Sequence, residues 1–321
     1  MSRVVYDRHF DIRAFGLERL HPFDTRKHSR AWQLLKKRLP EAIQAAWIRP
    51  TREISLDELL LIHSAEYLDR LRDSNYLASA LELPQVRRLS WRLLDWVVLR
   101  PMRWATMGTV LAARAAMQQG AAANLAGGFH HAKPGAGEGF CLYADIPLAI
   151  EVLRCEQLLK EHDRVAYIDL DAHQGNGVCH AFLQDSRVFI FDMFNRGAYP
   201  WQDRIARERI DCPIPLSAGC EDHEYLRKLR DQLPGFLDSV AGNGSLALIV
   251  FNAGTDPYEG DQLGGLNLSA SGMRQRDRFV IESASNRRVP LLMLPSGGYS
   301  EMSYRLLADS VAYLLSRDLQ S

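Results

Sequence analysis

The chain is poor in cysteine, with five among 321 residues and no Cys-x-x-Cys pair. An odd number of scattered cysteines disfavours a disulfide framework and a cysteine-rich structural zinc site, and it fits a reducing compartment. The chain has no run of about eighteen apolar residues, which excludes a membrane-spanning helix. Its charged start lacks the apolar core of a secretion signal. We therefore expect a cytoplasmic protein, or a nuclear one if the source is eukaryotic.

The formal net charge of the chain is zero, because 39 Lys and Arg balance 39 Asp and Glu. This balance argues against direct binding of nucleic acid, which usually needs a basic domain. One local stretch, residues 87–103, holds five Arg against one Asp, but its apolar residues recur at helical spacing. We expect an amphipathic helix with a solvated basic face there, rather than a nucleic-acid surface.

Two catalytic or binding motifs are absent as well. No Gly-x-Ser-x-Gly elbow occurs, which argues against a serine hydrolase. The glycine-rich segment 135–139 resembles a dinucleotide fingerprint only loosely, and no Gly-Lys-Ser/Thr follows it, so nucleotide binding is disfavoured.

What the chain does have is an alternation of strand and helix patterns. Residues 26–119 are expected to be helical, with helices over Ala31–Arg38, Leu56–Leu71 and Thr106–Gln119. Five apolar runs of strand length follow: Ala121–Ala126, Arg164–Leu170, Val188–Met193, Leu246–Phe251 and Pro290–Leu294. Helical stretches alternate with them: Pro147–Glu161, Asp222–Val240, Ser271–Ser285 and Ser300–Leu315. This order predicts an α/β fold in which residues 1–321 form a single domain, with a central, mostly parallel sheet flanked by helices on both faces.

The sharpest pattern lies at the end of the second predicted strand, where Asp169, Asp171 and His173 alternate. Residues two apart in an extended chain point to the same side. Two carboxylates and an imidazole at the end of a buried strand are costly to desolvate unless a cation holds them. Zinc accepts both donor types and often keeps three protein ligands, so Asp256, after the fourth strand, is the natural third. In the alternative, the acids cap the following loop and the histidine is packed; three such residues in alternation favour the metal.

Two histidines, His130 and His131, stand behind a pair of glycines after the first predicted strand. Paired imidazoles beside a metal could supply a general base for water and a general acid for a leaving amine. Tyr299 follows two glycines after the fifth strand, and its hydroxyl could donate to an oxygen that becomes negative in the transition state. Each of these residues alone could be an ordinary loop residue. Their shared position, at the carboxyl ends of strands, favours a common site.

Together these segments resemble the zinc-dependent histone deacetylases, which have the arginase–deacetylase fold, and class IV of that family most closely. The matching segments are 127–131, 139–145, 169–177, 252–256, 260–266 and 296–299, with His21-Pro22-Phe23-Asp24 and Leu99-Arg100-Pro101 as further class IV features. The resemblance covers nearly the whole chain. It implies amide hydrolysis.

The resemblance also implies roles for individual residues. The zinc ligands would be Asp171, His173 and Asp256. His131 would be the general base, and later the acid, for the attacking water, while His130 would contribute electrostatically. Tyr299 would polarise the scissile carbonyl and donate to the oxyanion.

The positions beside these residues follow in the same way. Asp169 would orient His130, and Asn176 stands beside His131. Class I members have Asp where this chain has Asn176; an amide supplies no negative charge, so His131 should be less basic than in an Asp-paired site. A structural potassium ion would take the side chains of Asp169, Asp171 and Asp192 and the backbone carbonyls of His173 and Met193.

The substrate tunnel implied by the resemblance is lined by Gly139, Phe140, Tyr199 and Leu263. An aromatic slot suits the apolar stem of an acylated lysine in a protein or peptide. The implied activity is lysine deacetylation or deacylation, extending to long fatty-acyl chains. Two alternatives remain open: a same-fold amidohydrolase acting on small acylated amines such as acetylpolyamines, and a catalytically inactive acyl-lysine binder. The sequence is silent on the oligomeric state.

Overall fold

Eight strands form one sheet in the computed structural model, which describes residues 1–13, 23–242 and 244–316. The strands are β1 Arg3–Val5, β2 Trp47–Ile48, β3 Ala121–Asn124, β4 Asp163–Asp169, β5 Val188–Asn195, β6 Cys212–Leu216, β7 Ser245–Asn252 and β8 Leu291–Leu294. Their order across the sheet is β2-β1-β3-β8-β7-β4-β5-β6. All seven pairings between these strands are parallel.

The five predicted strands are confirmed as β3, β4, β5, β7 and β8, whereas β1, β2 and β6 were not predicted. The first two are too short for a pattern to show, and β6 reads Cys-Pro-Ile-Pro-Leu. Prolines are tolerated in β6 because it lies at the edge of the sheet. The third predicted strand, Val188–Met193, is longer than expected. β5 continues to Asn195, since its last residues pair with β6.

The helices lie on both faces of this sheet, as the sequence predicted. They are α1 Lys27–Arg38, α2 Pro40–Ala46, α3 Leu56–Leu59, α4 Ala65–Arg70, α5 Ser74–Ala80, α6 Trp91–Leu94, α7 Arg100–Gln119, α8 Asp145–Cys155, α9 Asn176–Ala181, α10 Arg204–Arg209, α11 Asp222–Ala241, α12 Ala270–Arg287 and α13 Ser303–Ser316. The single helix expected over residues 56–71 is instead α3 and α4. The chain breaks there because Ser64 caps α4, accepting a hydrogen bond from the backbone N–H of Tyr67. No helix of the described ranges is long and apolar enough to cross a bilayer.

The arginine-rich stretch 87–103 is not one regular helix. It runs from a 3₁₀ turn at Pro84–Arg88 through α6 and a π-helical turn at Asp95–Leu99 into α7. Most of its arginines are exposed as expected, but Arg103 donates to Glu53 and Asp95 at 2.9 and 2.7 Å. The π-helical turn places three consecutive apolar residues, 97–99, in the interior.

The strand register sets the position of the polar residues. Asp169, the last residue of β4, lies directly between Asp192 of β5 and Asn252 of β7. All three side chains are fully buried. The loops that leave β3, β4, β7 and β8 therefore start at one edge of the sheet, where ligands bind in parallel α/β folds.

Candidate active site

Asp171, His173 and Asp256 meet at this edge, brought together by the loops after the adjacent strands β4 and β7. Nδ1 of His173 lies 2.8 Å from Oδ2 of Asp256 and 3.1 Å from Oδ1 of Asp171. One potential ligand atom from each residue lies within 4.8 Å of the others, and all three residues are buried. Backbone N–H groups hold the carboxylates from behind: Ala172 donates to Asp256 at 2.8 Å, and Gly297 to Asp171 at 2.8 Å.

The donor set of this triad suits a divalent cation. Burial would lower the pKa of His173, but the two neighbouring carboxylates outweigh it and raise the pKa well above its usual value. Burial and the charge of Asp171 raise the pKa of Asp256 to about 7. The imidazole of His173 thus contacts both buried acids. Carboxylate oxygens and an imidazole nitrogen converging on one point are a set that zinc accepts.

The two histidines lie side by side, with ring centroids 4.0 Å apart, but they have different partners. Nδ1 of His130 faces Oδ2 of Asp169 at 2.9 Å, and Nδ1 of His131 faces Oδ1 of Asn176 at 2.8 Å. Burial would lower the pKa of His130, but the charge of Asp169 raises it to about 9. Burial and the positive charge of His130 hold the pKa of His131 well below its usual value. These opposite shifts favour the proton on His130 over a proton on His131.

Tyr299 closes the opposite side of the triad. Its ring centroid lies 6.1 Å from that of His173, and its backbone N–H donates to Oδ2 of Asp261 at 2.6 Å. Burial and the charge of Asp256 raise the pKa of Tyr299 well above its usual value, so the hydroxyl keeps its proton. The loop before it needs glycine: Gly298 has φ 134°, and a Cβ there would lie 1.9 Å from Oγ1 of Thr255.

Of the acids predicted to hold potassium, Asp171 belongs to the triad, and Asp169 and Asp192 pair across the adjacent strands β4 and β5. Asp192 Oδ2 accepts from the backbone N–H of Gly175 at 3.0 Å, whereas its buried Oδ1 has no hydrogen-bond partner. Burial and the charge of Asp169 raise the pKa of Asp192 well above its usual value. A buried carboxylate oxygen without a donor fits the ligand set of a cation.

An apolar cavity of about 110 Å³ begins at His130, His131 and Tyr299. One end is lined by His130, His131, Gly297 and Tyr299, and the other by side chains from the stretch between α5 and α7, among them Leu81, Val86, Leu94, Val97, Val98 and Met102. Of the predicted tunnel residues, Gly139 and Phe140 line it. Tyr199 and Leu263 do not; both are exposed, and the Tyr199 ring lies 5.1 Å from that of His131.

Arg276, a fully buried arginine on α12, was not predicted from the sequence. Its Nη1 donates to the carbonyls of Leu170 at 3.0 Å and Gly254 at 2.7 Å, and its Nε donates to Asp277 at 2.7 Å. Those carbonyls lie in the loops that carry Asp171 and Asp256. A signal was present: Arg276 and Asp277 interrupt an apolar helical stripe formed by Met273, Val280, Ile281 and Ala284.

Lys27 and a polar cluster beside Asn176 were not predicted either. Lys27 is buried in α1, and its Nζ donates to the carbonyls of Ser296 at 2.5 Å and Gly297 at 3.0 Å, in the loop before Tyr299. The cluster consists of Lys133, Glu138, His180 and Asp203, which contact one another or Asn176. No local pattern distinguishes these residues from ordinary surface charges.

The fold and the site together define a class: an α/β protein with a buried Asp-His-Asp triad, two histidines and a tyrosine at the carboxyl edge of a parallel sheet. Comparison with known proteins identifies the family. The family model for the histone deacetylase domain matches residues 21–315, and the chain belongs to that family. Membership of this family supports hydrolase activity. His21 and Pro22, two of the residues that suggested class IV, lie outside the described residues.

Two relatives and one solved structure illustrate the similarity. "Histone deacetylase 2" of Arabidopsis thaliana is 38% identical over 98% of this chain and 79% of its own length. An uncharacterized protein of Picosynechococcus sp. is 32% identical, covering 81% of this chain and 82% of its own. The crystal structure of the HDA15 HD domain aligns with a TM-score of 0.74 at 18% identity, covering 99% of this chain and 89% of that one, which supports the fold alone.

Proposed function

We propose that this protein is a zinc-dependent hydrolase of N-ε-acyl-lysine amides in proteins or peptides, of class IV within its family. The observation that carries the proposal is the convergence of a metal-ligating triad, a neutral histidine and a buried tyrosine at the mouth of one apolar cavity. A site that merely binds acyl-lysine has no need of this proton-transfer apparatus.

Asp171, His173 and Asp256 would hold the zinc ion. When bound, zinc polarises a carbonyl and acidifies water. The hydrogen bonds from Ala172 and Gly297 fix the carboxylates in place, and such supporting contacts are typically worth about 10–100-fold in metal affinity.

The chain's own side chains then divide the proton transfers between them. His131 is neutral, and its Nδ1 faces an amide oxygen, so its Nε2 can take a proton from the attacking water. The same nitrogen returns the proton to the departing lysine amine. His130, paired with Asp169, supplies positive charge beside it. Tyr299 donates its hydroxyl to the oxygen of the scissile carbonyl as negative charge develops there.

A structural potassium ion is also part of the proposal. Asp169, Asp171 and Asp192 would supply its side-chain ligands, with the backbone carbonyls of His173 and Met193. The buried Oδ1 of Asp192, which lacks a donor, supports a cation at this place. Its role would be structural, because it would keep neighbouring acids ionised next to β4.

The cavity supports hydrolysis of long acyl chains. Its far wall is made of leucine, valine and methionine side chains, and the π-helical turn 95–99 contributes Val97 and Val98 to it. Each CH₂ group that leaves water for such a wall contributes about 0.8 kcal/mol. The lysine stem would lie along Phe140 and the exposed Tyr199 and Leu263 at the entrance.

The test is a panel of acetyl-, octanoyl- and myristoyl-lysine peptides together with acetylpolyamines, assayed with and without chelator. We expect turnover of the lysine peptides to be lost on chelation and restored by zinc. We expect kcat/KM for octanoyl-lysine to exceed that for acetyl-lysine by at least about tenfold. Turnover of acetylpolyamines alone, or of no substrate at all, would contradict the proposal.

A further inference from the structure

The amide of Asn176 lies between a histidine and two carboxylates. Its Oδ1 faces Nδ1 of His131 at 2.8 Å. Its Nδ2 donates to Oε1 of Glu138 at 2.5 Å and to Oδ2 of Asp203 at 3.1 Å. Asn176 is fully buried, so water does not substitute for any of these partners.

These contacts leave only one orientation for the amide. An ionised carboxylate accepts hydrogen bonds and cannot donate them, so the atom that faces Glu138 and Asp203 must be the NH₂ group. The carbonyl oxygen then faces His131, and because a carbonyl also only accepts, Nδ1 of His131 must carry the proton. The lone pair is left on Nε2, on the other side of the ring. The reverse orientation would place oxygen against two carboxylates.

Lys133 contacts both carboxylates, and His180 contacts Asp203. Nζ of Lys133 lies 2.9 Å from Glu138 and 3.0 Å from Asp203, and Nε2 of His180 lies 2.9 Å from Asp203. Burial would raise the pKa of Asp203, but the hydrogen bonds from Lys133 and Asn176 outweigh it and hold the pKa below its usual range. Lys133 also makes the orientation of the Asn176 amide depend on the charge of Glu138 and Asp203. If both carboxylates were neutral, the ammonium group of Lys133 would attract the oxygen of Asn176.

We propose that Glu138 and Asp203 are positioning residues for His131, which hold the amide of Asn176 in the one orientation that leaves Nε2 of His131 free to accept a proton. The inference rests on the proposed function, in which His131 is the base. It explains how an uncharged residue performs the orienting task that a carboxylate beside the histidine would perform directly.

The test is the combined variant Glu138→Gln/Asp203→Asn, which keeps the shapes and removes both charges. Asn also remains an effective N-cap for α10, which Asp203 caps by accepting from the N–H of Ala206. With the carboxylates gone, Lys133 favours the reversed amide. We expect kcat to fall about 10–100-fold, because the charge-assisted hydrogen bonds that orient the amide are lost. KM should stay within about twofold of its value in the unaltered protein. Glu224→Gln, a surface change on α11, is the matched control and should have no effect.

The decisive arm repeats the two substitutions in an Asn176→Asp background. There the carboxylate accepts directly from His131, and Glu138 and Asp203 only repel it, so the same substitutions should raise kcat. A merely structural role would lower kcat in both backgrounds. Equal losses in the two backgrounds, or an unchanged kcat in the first, would overturn the inference.

A second measurement does not depend on activity. In protein with ¹⁵N-labelled histidine, the His131 resonances, assigned with a His131→Ala sample, report which ring nitrogen carries the proton. We expect Nδ1–H in the unaltered protein and Nε2–H in the combined variant. If the protein hydrolyses no acyl-lysine peptide but the tautomer changes as expected, the proposed function fails and the positioning holds. An unchanged tautomer would refute the positioning itself.

Discussion

Replacing Arg276 with methionine should destabilise the protein and weaken its metal site together. The guanidinium is fully buried and links the carbonyls of Leu170 and Gly254 to the carboxylate of Asp277. Methionine fills much of the space but donates nothing. The backbone carbonyls of Leu170, Ala253 and Gly254 then lose their charged donor, and Asp277 keeps the hydrogen bond from Ser310.

The expected cost follows from these contacts. Removing one partner of a buried ion pair costs about 3–5 kcal/mol, because the other charge stays buried. For a chain of this size that corresponds to a fall of about 5–8 °C in the unfolding midpoint. Leu170 immediately precedes Asp171, and Gly254 lies two residues before Asp256. The loops that carry these two metal ligands therefore lose the side chain that hydrogen-bonds to both of them. A loss of about 10–100-fold in metal affinity is the usual result of removing such support.

Calorimetry of the protein without metal measures the loss of stability. Titration with Co²⁺, followed by its d–d absorption, measures the loss of metal affinity. Arg278→Met, two residues further along the same helix and exposed, is the matched control and should change the free energy of unfolding by less than about 0.5 kcal/mol. Arg276→Lys keeps the charge without the planar fork and should recover only part of both losses. Unchanged stability and unchanged Co²⁺ affinity in Arg276→Met would refute the reasoning.

Four further predictions concern the site and its surroundings. Tyr299→Phe should lower kcat by about 100–1000-fold while Co²⁺ binding is retained; an active variant would exclude the assigned role. Zinc at about 100 times its Kd should stabilise the protein by about 2.7 kcal/mol in calorimetry, and Asp256→Asn should abolish this gain. Burial lowers the pKa of His63 to about 4, so the unfolded chain binds the extra proton first, and stability should be lost as pH falls from about 6.5 to 4. Denaturant titrations should show a loss that is smaller in His63→Gln than in the unaltered protein, by up to about 3 kcal/mol. Val98→Trp should narrow the cavity and reduce kcat/KM for octanoyl-lysine at least about tenfold while acetyl-lysine turnover stays within about twofold; equal effects on both would place the acyl chain elsewhere.

The sequence was informative wherever a pattern is local. Alternating strand and helix patterns predicted the parallel sheet, and five apolar runs located the strands that carry the site. The alternation of Asp169, Asp171 and His173 predicted a shared side for these residues, because the geometry of an extended chain is set by neighbours in sequence. The short strands β1 and β2 left no such pattern, and the helix expected over residues 56–71 is divided because Ser64 offers a cap.

Residues whose partners are distant in sequence could not be recognised from a local sequence pattern. Glu138, Asn176 and Asp203 come from three loops or helix ends, and only the folded chain brings them within hydrogen-bonding distance. The exposed positions of Tyr199 and Leu263, outside the wall of the cavity, were likewise not predictable, since a tunnel wall is a property of packed elements.

The sequence by itself determined the class of fold, the family and the types of side chain available for chemistry, since these follow from periodicity and from short motifs. Only the tertiary structure decided what surrounds these side chains: two carboxylates that hold the amide beside His131, and a buried arginine between the two loops that carry the metal ligands. The physical reason is that charge, tautomer and metal affinity depend on distances of a few ångströms between residues far apart in the chain. Such distances exist only after the strands have been placed side by side.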